Sequence, residues 1–95
     1  MHYLEEENTL LVADTYNHKI KLVFNNDSIQ TLHGGPTHGL EDGEQGLFSE
    51  PTGFASKFED GKYTVYVADS NNDCIRIIYE GKVTTPLIKN VPRVN

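Results

Sequence analysis

Along Lys19–Phe24 apolar and polar positions alternate with a period of two. Ile20, Leu22 and Phe24 fall on one side and Lys19, Lys21 and Val23 on the other, which predicts a strand. Leu10 to Ala13 is short, rich in β-forming residues and bounded by Asn8 and Asp14, and predicts a second. Between them Asp14, Thr15, Tyr16 and Asn17 gather turn formers: an Asp side chain can accept amide hydrogen bonds a few residues on, and Asn tolerates the left-handed conformation. Asn25, Asn26 and Asp27 make a further turn, and Ser28 to Leu32 a third short strand.

The same pattern returns 55 residues later: Thr9–Val23, TLLVADTYNHKIKLV, matches Thr64–Ile78, TVYVADSNNDCIRII, with six of fifteen positions identical. A self-match of this density is an internal repeat and governs every local assignment. Around the second copy, strands are predicted over 51–56, 62–68, 74–79 and 82–86, joined by turn signals at Glu59-Asp60-Gly61 and Glu80-Gly81. Pro51 is acceptable at a first strand position, where no ladder donor is needed. Only eight residues precede Thr9, so the first copy is expected to supply the last three strands of the same four. No amphipathic helix is found. Short strands and a whole-unit repeat of this size are the signature of β-propeller blades.

Between the copies, His33 to Glu50 holds five glycines, one proline and four carboxylates in eighteen residues, without sustained periodicity. A blade connection must cross a sheet of strands spaced about 4.8 Å apart, and that accounts for part of its length. The remainder exceeds most loops in compact domains and is expected to be functional or mobile. Phe48 is expected to pack between blades, and Gly39 and Gly43 to permit turns that other residues resist.

Composition narrows the function classes. Eight Lys and Arg against fourteen Asp and Glu give a net charge of −6, with no basic run, which disfavours nucleic-acid binding. The lone Cys74 can close no internal disulfide and fits a reducing compartment. The start, MHYLEEENTL, has no apolar run and is no signal peptide; no stretch is long and apolar enough for a membrane span.

The residues VADTYNHKIK, VADSNNDCIR and DG…LFSEPTGFA resemble the NHL repeat, over roughly residues 9 to 87. Asn17-His18 keeps the first two letters of the Asn-His-Leu turn, with Lys19 in the third place; the second copy keeps only Asn72. The resemblance implies an all-β fold, a partial β-propeller of about two NHL blades, each an antiparallel four-stranded meander. Residues 1–33 would form an incomplete blade, 34–50 the connection, 51–87 a complete blade and 88–95 a tail. Within the family the chain is most similar to the type that joins a thioredoxin-like domain to an NHL propeller in the cytoplasm. The CxxC-type redox site of such a domain is absent here, so no redox role carries over. Two blades cannot close a ring, so remaining blades or self-association are expected to cover the outer faces, with the chain part of a longer propeller.

Candidate chemistry is sparse. Asp69, Asn71, Asp73 and Glu80 fit positions 1, 3, 5 and 12 of a calcium loop, but Cys74 stands where that loop requires Gly and a strand would carry Glu80 away. His2, His18, His33 and His38 have no ligand partner at motif spacing and read as surface polar residues. HGGPTHG has the look of an oxyanion loop without the G-x-S-x-G elbow. No catalytic residue, metal or cofactor is therefore assigned. Asp14, Asn17, Asp69 and Asn72 are expected to be structural turn residues, the carboxylates taking backbone amides of their own hairpins. Lys21 and Arg76 are expected to face outward in weak surface pairs. Tyr16, His38, Glu41, Asp42 and Glu44 are the candidate partner contacts. The expected function is a protein-interaction scaffold in the cytoplasm, not an enzyme, with a protein partner. The alternatives are part of a propeller lyase or hydrolase whose site lies mostly in other blades, and an RNA-binding NHL propeller.

Overall fold

The computed structural model describes residues 1–26 and 28–86. The predicted tail, 88–95, lies outside them. Two antiparallel four-stranded sheets follow one another along the chain. The first orders β1 (His2–Leu4), β2 (Thr9–Asp14), β3 (Lys19–Phe24) and β4 (Ile29–His33); the second orders β5 (Pro51–Glu59), β6 (Lys62–Asp69), β7 (Cys74–Tyr79) and β8 (Lys82–Thr84).

The first sheet is complete, which corrects the expected three strands. His2, Tyr3 and Leu4 pair with Leu11, Leu10 and Thr9. Three residues suffice because the reversal is local: a 3-10 turn over Glu5–Glu7 ends at Asn8 in the left-handed region, φ 52°. The three consecutive glutamates near the start are that turn. In the second sheet the same reversal is Asp60-Gly61, φ 54° and 78°, and Glu80-Gly81 repeats it at 49° and 79°. Left-handed values at both turn residues match the twist of the flanking strands. Two further boundaries move: β5 runs to Glu59 rather than Ser56, and β8 ends at Thr84, ahead of Pro86.

The repeated corners agree closely. Asp14 (φ −86°, ψ 75°) enters a 3-10 turn over Thr15–Asn17 that closes at His18 in the left-handed region; Asp69 (φ −91°, ψ 76°) enters Ser70–Asn72, which closes at Asp73. Equal spacing in sequence has produced equal backbone.

The core lies between the sheets. Leu4, Leu11 and Ile20 come from the first, Val65, Val67, Ile78 and Val83 from the second, and Phe48 from the connection. Burying each side chain of this size contributes on the order of 1.5–3 kcal/mol. Pairing assigns the faces: Leu11 is opposite Leu22, and Ala13 opposite Ile20, on the side that meets the second sheet. Their counterparts 55 residues on, Tyr66 and Ile75, lie on the second sheet's other side, where Ile75 is 42% exposed. The face of the second sheet that meets the first carries Val65, Val67 and Ile78, and these match Leu10, Val12 and Val23 on the first sheet's open side. The sheets therefore stack head to tail, each with the same orientation, as successive blades do.

The connection is ordered rather than loose. Glu41 and Leu47 bridge each other, and Gly43 exchanges both backbone hydrogen bonds with Val83, at 2.9 and 2.8 Å. Gly43 supplies the expected left-handed φ, +119°. Gly39 is closely packed instead: a Cβ there would stand 2.9 Å from Leu47 Cδ1, and that side chain would have to shift. Much of the surplus length thus adds to the edge of the second sheet and seats Phe48.

Candidate interaction surface and the paired acidic corners

In the second sheet, alternation along β7 puts Arg76 on the same face as Ile78, opposite Val67, and that face is buried. Arg76 is fully buried, not outward-facing as the sequence suggested. Its Nη1 donates to Asp69 Oδ2 at 2.9 Å and to the Leu47 carbonyl at 2.6 Å; Nη2 donates to the Glu41 carbonyl at 2.5 Å and to Asp42 Oδ1 at 3.1 Å. The guanidinium lies 4.7 Å from the centroid of the Phe48 ring. A planar cation with several donors can serve two carboxylates and two carbonyls together, while its face attracts the ring. Nε is buried without a hydrogen-bond partner.

Asp69 answers from the other side. Oδ1 accepts the Ser49 amide at 2.8 Å, and Oδ2 accepts Asn72 Nδ2 at 2.8 Å as well as Arg76. None of the three is to a backbone amide of its own hairpin, as the sequence had suggested. The hairpin is joined to the connection instead: Asn72 Nδ2 also donates to the Gly39 carbonyl, and the Asn71 amide to the Ser49 carbonyl. Aspartate, asparagine and arginine at i, i+3 and i+7 thus clamp the segment from Gly39 to Ser49 over the blade.

The first sheet repeats the trio with lysine. Asp14 accepts Asn17 Nδ2 at 3.2 and 3.1 Å and Lys21 Nζ at 2.9 Å, with the Lys21 and Asp14 side chains 32% and 28% exposed. The hydrogen bond from Lys21, followed by that from Asn17, holds the Asp14 carboxyl below its ordinary value. Here too the carboxylate takes side chains rather than the amides of its hairpin.

The proposed contact residues are placed unevenly. Tyr16, at the tip of the β2–β3 hairpin, is 86% exposed. His38 is exposed, its ring 5.4 Å from that of His18. Glu41 and Glu44 present exposed side chains, but their carbonyls are occupied, by Arg76 and by His33 Nδ1 at 2.9 Å. Asp42 is engaged with Arg76 and with Thr85 Oγ1 at 2.7 Å. Partial burial pushes its pKa up, but the hydrogen bonds from Thr85 and Arg76 outweigh that and hold it below the ordinary value. The tips and the connection form one continuous side of the molecule: Thr15 Oγ1 donates to the Pro51 carbonyl, and the Glu50 amide to His18 Nδ1.

His2 and His33 are not the surface polar residues expected. His2 Nε2 lies 2.6 Å from Ser56 Oγ, across the sheet interface. His33 is buried beside a cleft of about 490 Å³ between the sheets, lined by Leu4, Leu11, Leu22 and Val65 among others. Its Nε2 lacks a partner, and burial lowers its pKa. Cys74 is half-buried, and burial followed by the nearby Asp69 charge raises its thiol pKa.

Curated proteins from several vertebrates are similar to this stretch. NHL repeat-containing protein 2 of Bos taurus is 40% identical over 73 residues, covering 75% of this chain and 10% of that protein. The Homo sapiens protein of the same name is 39% identical over 71 residues, covering 73% and 9%. The chain belongs to the NHL-repeat family. It spans about a tenth of the length of the curated relatives it matches. No protein-family profile matches it. Among the described residues of these NHL blades, no three His, Cys, Asp or Glu gather as metal ligands, and no helix is long and apolar enough to cross a membrane.

Proposed function

We propose that these NHL blades act as a protein-interaction scaffold in the cytoplasm, without catalytic activity of their own. The observation that carries the reading is Tyr16: a large aromatic side chain, 86% exposed, held at the tip of an ordered hairpin. Exposed aromatics on rigid supports anchor interfaces at small entropic cost. His38, Glu41 and Glu44 on the adjoining connection supply a polar, acidic rim. The carboxylates of Asp42 and Asp69 are both bound to Arg76, and further to Thr85 Oγ1 and to the Ser49 amide, which supports a structural use.

Site-specific photo-crosslinking tests the surface. A benzophenone side chain at position 16 is expected to yield a discrete protein adduct in cell extract. One at Phe58, 44% exposed at the opposite end of the sheets, is expected to yield none. Identical adducts from both positions, or none from position 16, would overturn the assignment.

A further inference from the structure

Packing between the two sheets is uneven. Leu11, Ile20, Phe48 and Val67 are fully buried, yet beside them a cleft of about 490 Å³ enters the interface. Protein interiors leave few spaces larger than a water molecule, and this volume lies in the range of small-molecule sites. Its walls are aliphatic: Leu4, Leu11, Leu22 and Leu32 from the first sheet, Val65 and Ile78 from the second. Both walls belong to sheets that already pack on each other, so the cleft is not the seat of a neighbouring blade. Gly61 and Gly81 stand at its rim, where a Cβ would meet nothing within 4 Å, so the two turns leave the mouth open.

The polar side chains of the lining are engaged or exposed, with one exception. Lys62 and Glu80 pair with each other, Tyr63 Oη donates to Glu6 Oε2 at 2.9 Å, and Glu7 is exposed. The exception is His33, which is 2% exposed. Its Nδ1 lies 2.9 Å from the Glu44 carbonyl, which can only accept, so Nδ1 carries the ring proton. Nε2 is then a bare acceptor, and it has no partner among the described residues. Burial disfavours the imidazolium, so the ring stays neutral. A buried acceptor without a donor is costly, and in an aliphatic lining it selects a ligand with one donor on an apolar body. A carboxylate has no proton to offer Nε2 and would also meet the charge of Glu7.

We infer that the cleft between the sheets binds a small neutral alcohol or phenol, whose hydroxyl donates to His33 Nε2 while its apolar body lies against Leu4, Leu22, Leu32 and Ile78. The occupant touches both sheets, so binding also strengthens their packing on each other. The site is distinct from the hairpin-tip side chain of Tyr16, so failure at one leaves the other standing.

The test titrates the isotopically labelled 95-residue chain with 4-propylphenol, following backbone amides and the imidazole nitrogens. Saturable shifts are expected at Leu4, Leu22, Leu32, His33 and Ile78, with a Kd of about 1 mM or below. The His33 Nε2 resonance is expected to move upfield, as an unprotonated ring nitrogen does on accepting a hydrogen bond. 4-Propylanisole keeps the apolar body and lacks the O–H, and is expected to bind about fivefold or more weakly. 4-Propylbenzoate is expected to be weaker still. Leu32→Trp, which fills the cleft from a half-buried position, is expected to abolish the shifts; the three ligands are compared on the native chain, so their ranking stands without it. Four results would overturn the proposal. One is no saturable shift up to about 5 mM 4-propylphenol. Another is equal affinity for the phenol and the anisole, which would leave Nε2 with no part in binding. A third is tighter binding of the benzoate, meaning that the cleft takes anions. The last is shifts that persist in a folded Leu32→Trp chain, meaning that the phenol binds elsewhere.

Discussion

Asp14 with Lys21 and Asp69 with Arg76 occupy the same places in two copies of one blade, yet one pair is open to solvent and the other is sealed. Backbone does not distinguish them, since the entering aspartates agree within 5° in φ and 1° in ψ. What differs is the cover. The segment Gly39 to Ser49 lies on the second corner and nothing described lies on the first. A pair in water gains little, because hydration and salt compete with it, whereas a sealed pair is costly to leave half-made. The same motif is therefore a minor surface contact in one blade and a structural requirement in the next.

The strongest way to break that contrast is Asp69→Ala. Removing the carboxylate leaves Arg76 buried with less compensation and strands the Ser49 amide, so a loss of about 3–5 kcal/mol is expected. Urea unfolding of the chain measures it; a loss under about 1 kcal/mol would mean that the second corner is as open as the first.

Arg76→Lys sharpens the contrast by giving the second corner the first corner's cation. An ammonium can keep Asp69 but cannot also reach the Glu41 carbonyl and Asp42 with the geometry of the fork. The expected cost is about 1.5–3 kcal/mol in the same measurement. The reciprocal change, Lys21→Arg, is expected to be close to neutral because no covering segment is there to receive the extra donors.

Most of the fold, and little of the corner, was legible in the residues. The repeat and the Asp-Gly and Glu-Gly turns placed β6 and β7 to within a residue, because each signal is local, and missed the ends of β5 and β8 by three and two residues. The strand His2–Leu4 escaped because three residues are too few for a period, and because the 3-10 turn over Glu5–Glu7 carries no glycine or proline to signal a reversal. Arg76 was misplaced for a different reason. Its charge suggested solvent, although alternation from Val65 and Val67 through the paired Ile78 puts it, with Asp69, on the buried face. A cation in an apolar stripe, seven residues after an aspartate on that same face, was the available signal. The backbone partners of Asp69 and Arg76 could not be read at all, since they lie in a segment 20 or more residues away.

Acidity acts on the molecule in two separate pH ranges. Burial lowers the His33 pKa, against hydrogen bonds to the Glu44 and Gln45 backbone that raise it. Below the ordinary imidazole value the unfolded chain binds the proton that the folded chain refuses. Stability is therefore full above about pH 6.5 and falls as pH drops from there toward the lowered folded value. A urea midpoint that declines from about pH 7.5 to 5.5, with a shallower slope in His33→Gln, is the expected result. Asp14 and Asp42 act lower. Their folded pKa values are depressed, so their contribution is present above about pH 4 and is lost as pH falls through the lowered values. A midpoint flat across the imidazole range would show that His33 is not held neutral by the sheet interface.

The smallest effect tests the open corner directly. Asp14→Ala removes the carboxylate that Asn17 and Lys21 both contact, yet water can replace it for each of them. The expected loss is under about 1 kcal/mol. A double-mutant cycle with Lys21→Ala should give a coupling of a few tenths of a kcal/mol that shrinks as salt is added, because the pair is exposed enough to be screened. Asp69 and Arg76, with both side chains fully buried, should show a larger coupling that salt barely moves. A cost for Asp14→Ala matching that of Asp69→Ala would mean that the corner is covered in solution, and its partner segment would then be the thing to find.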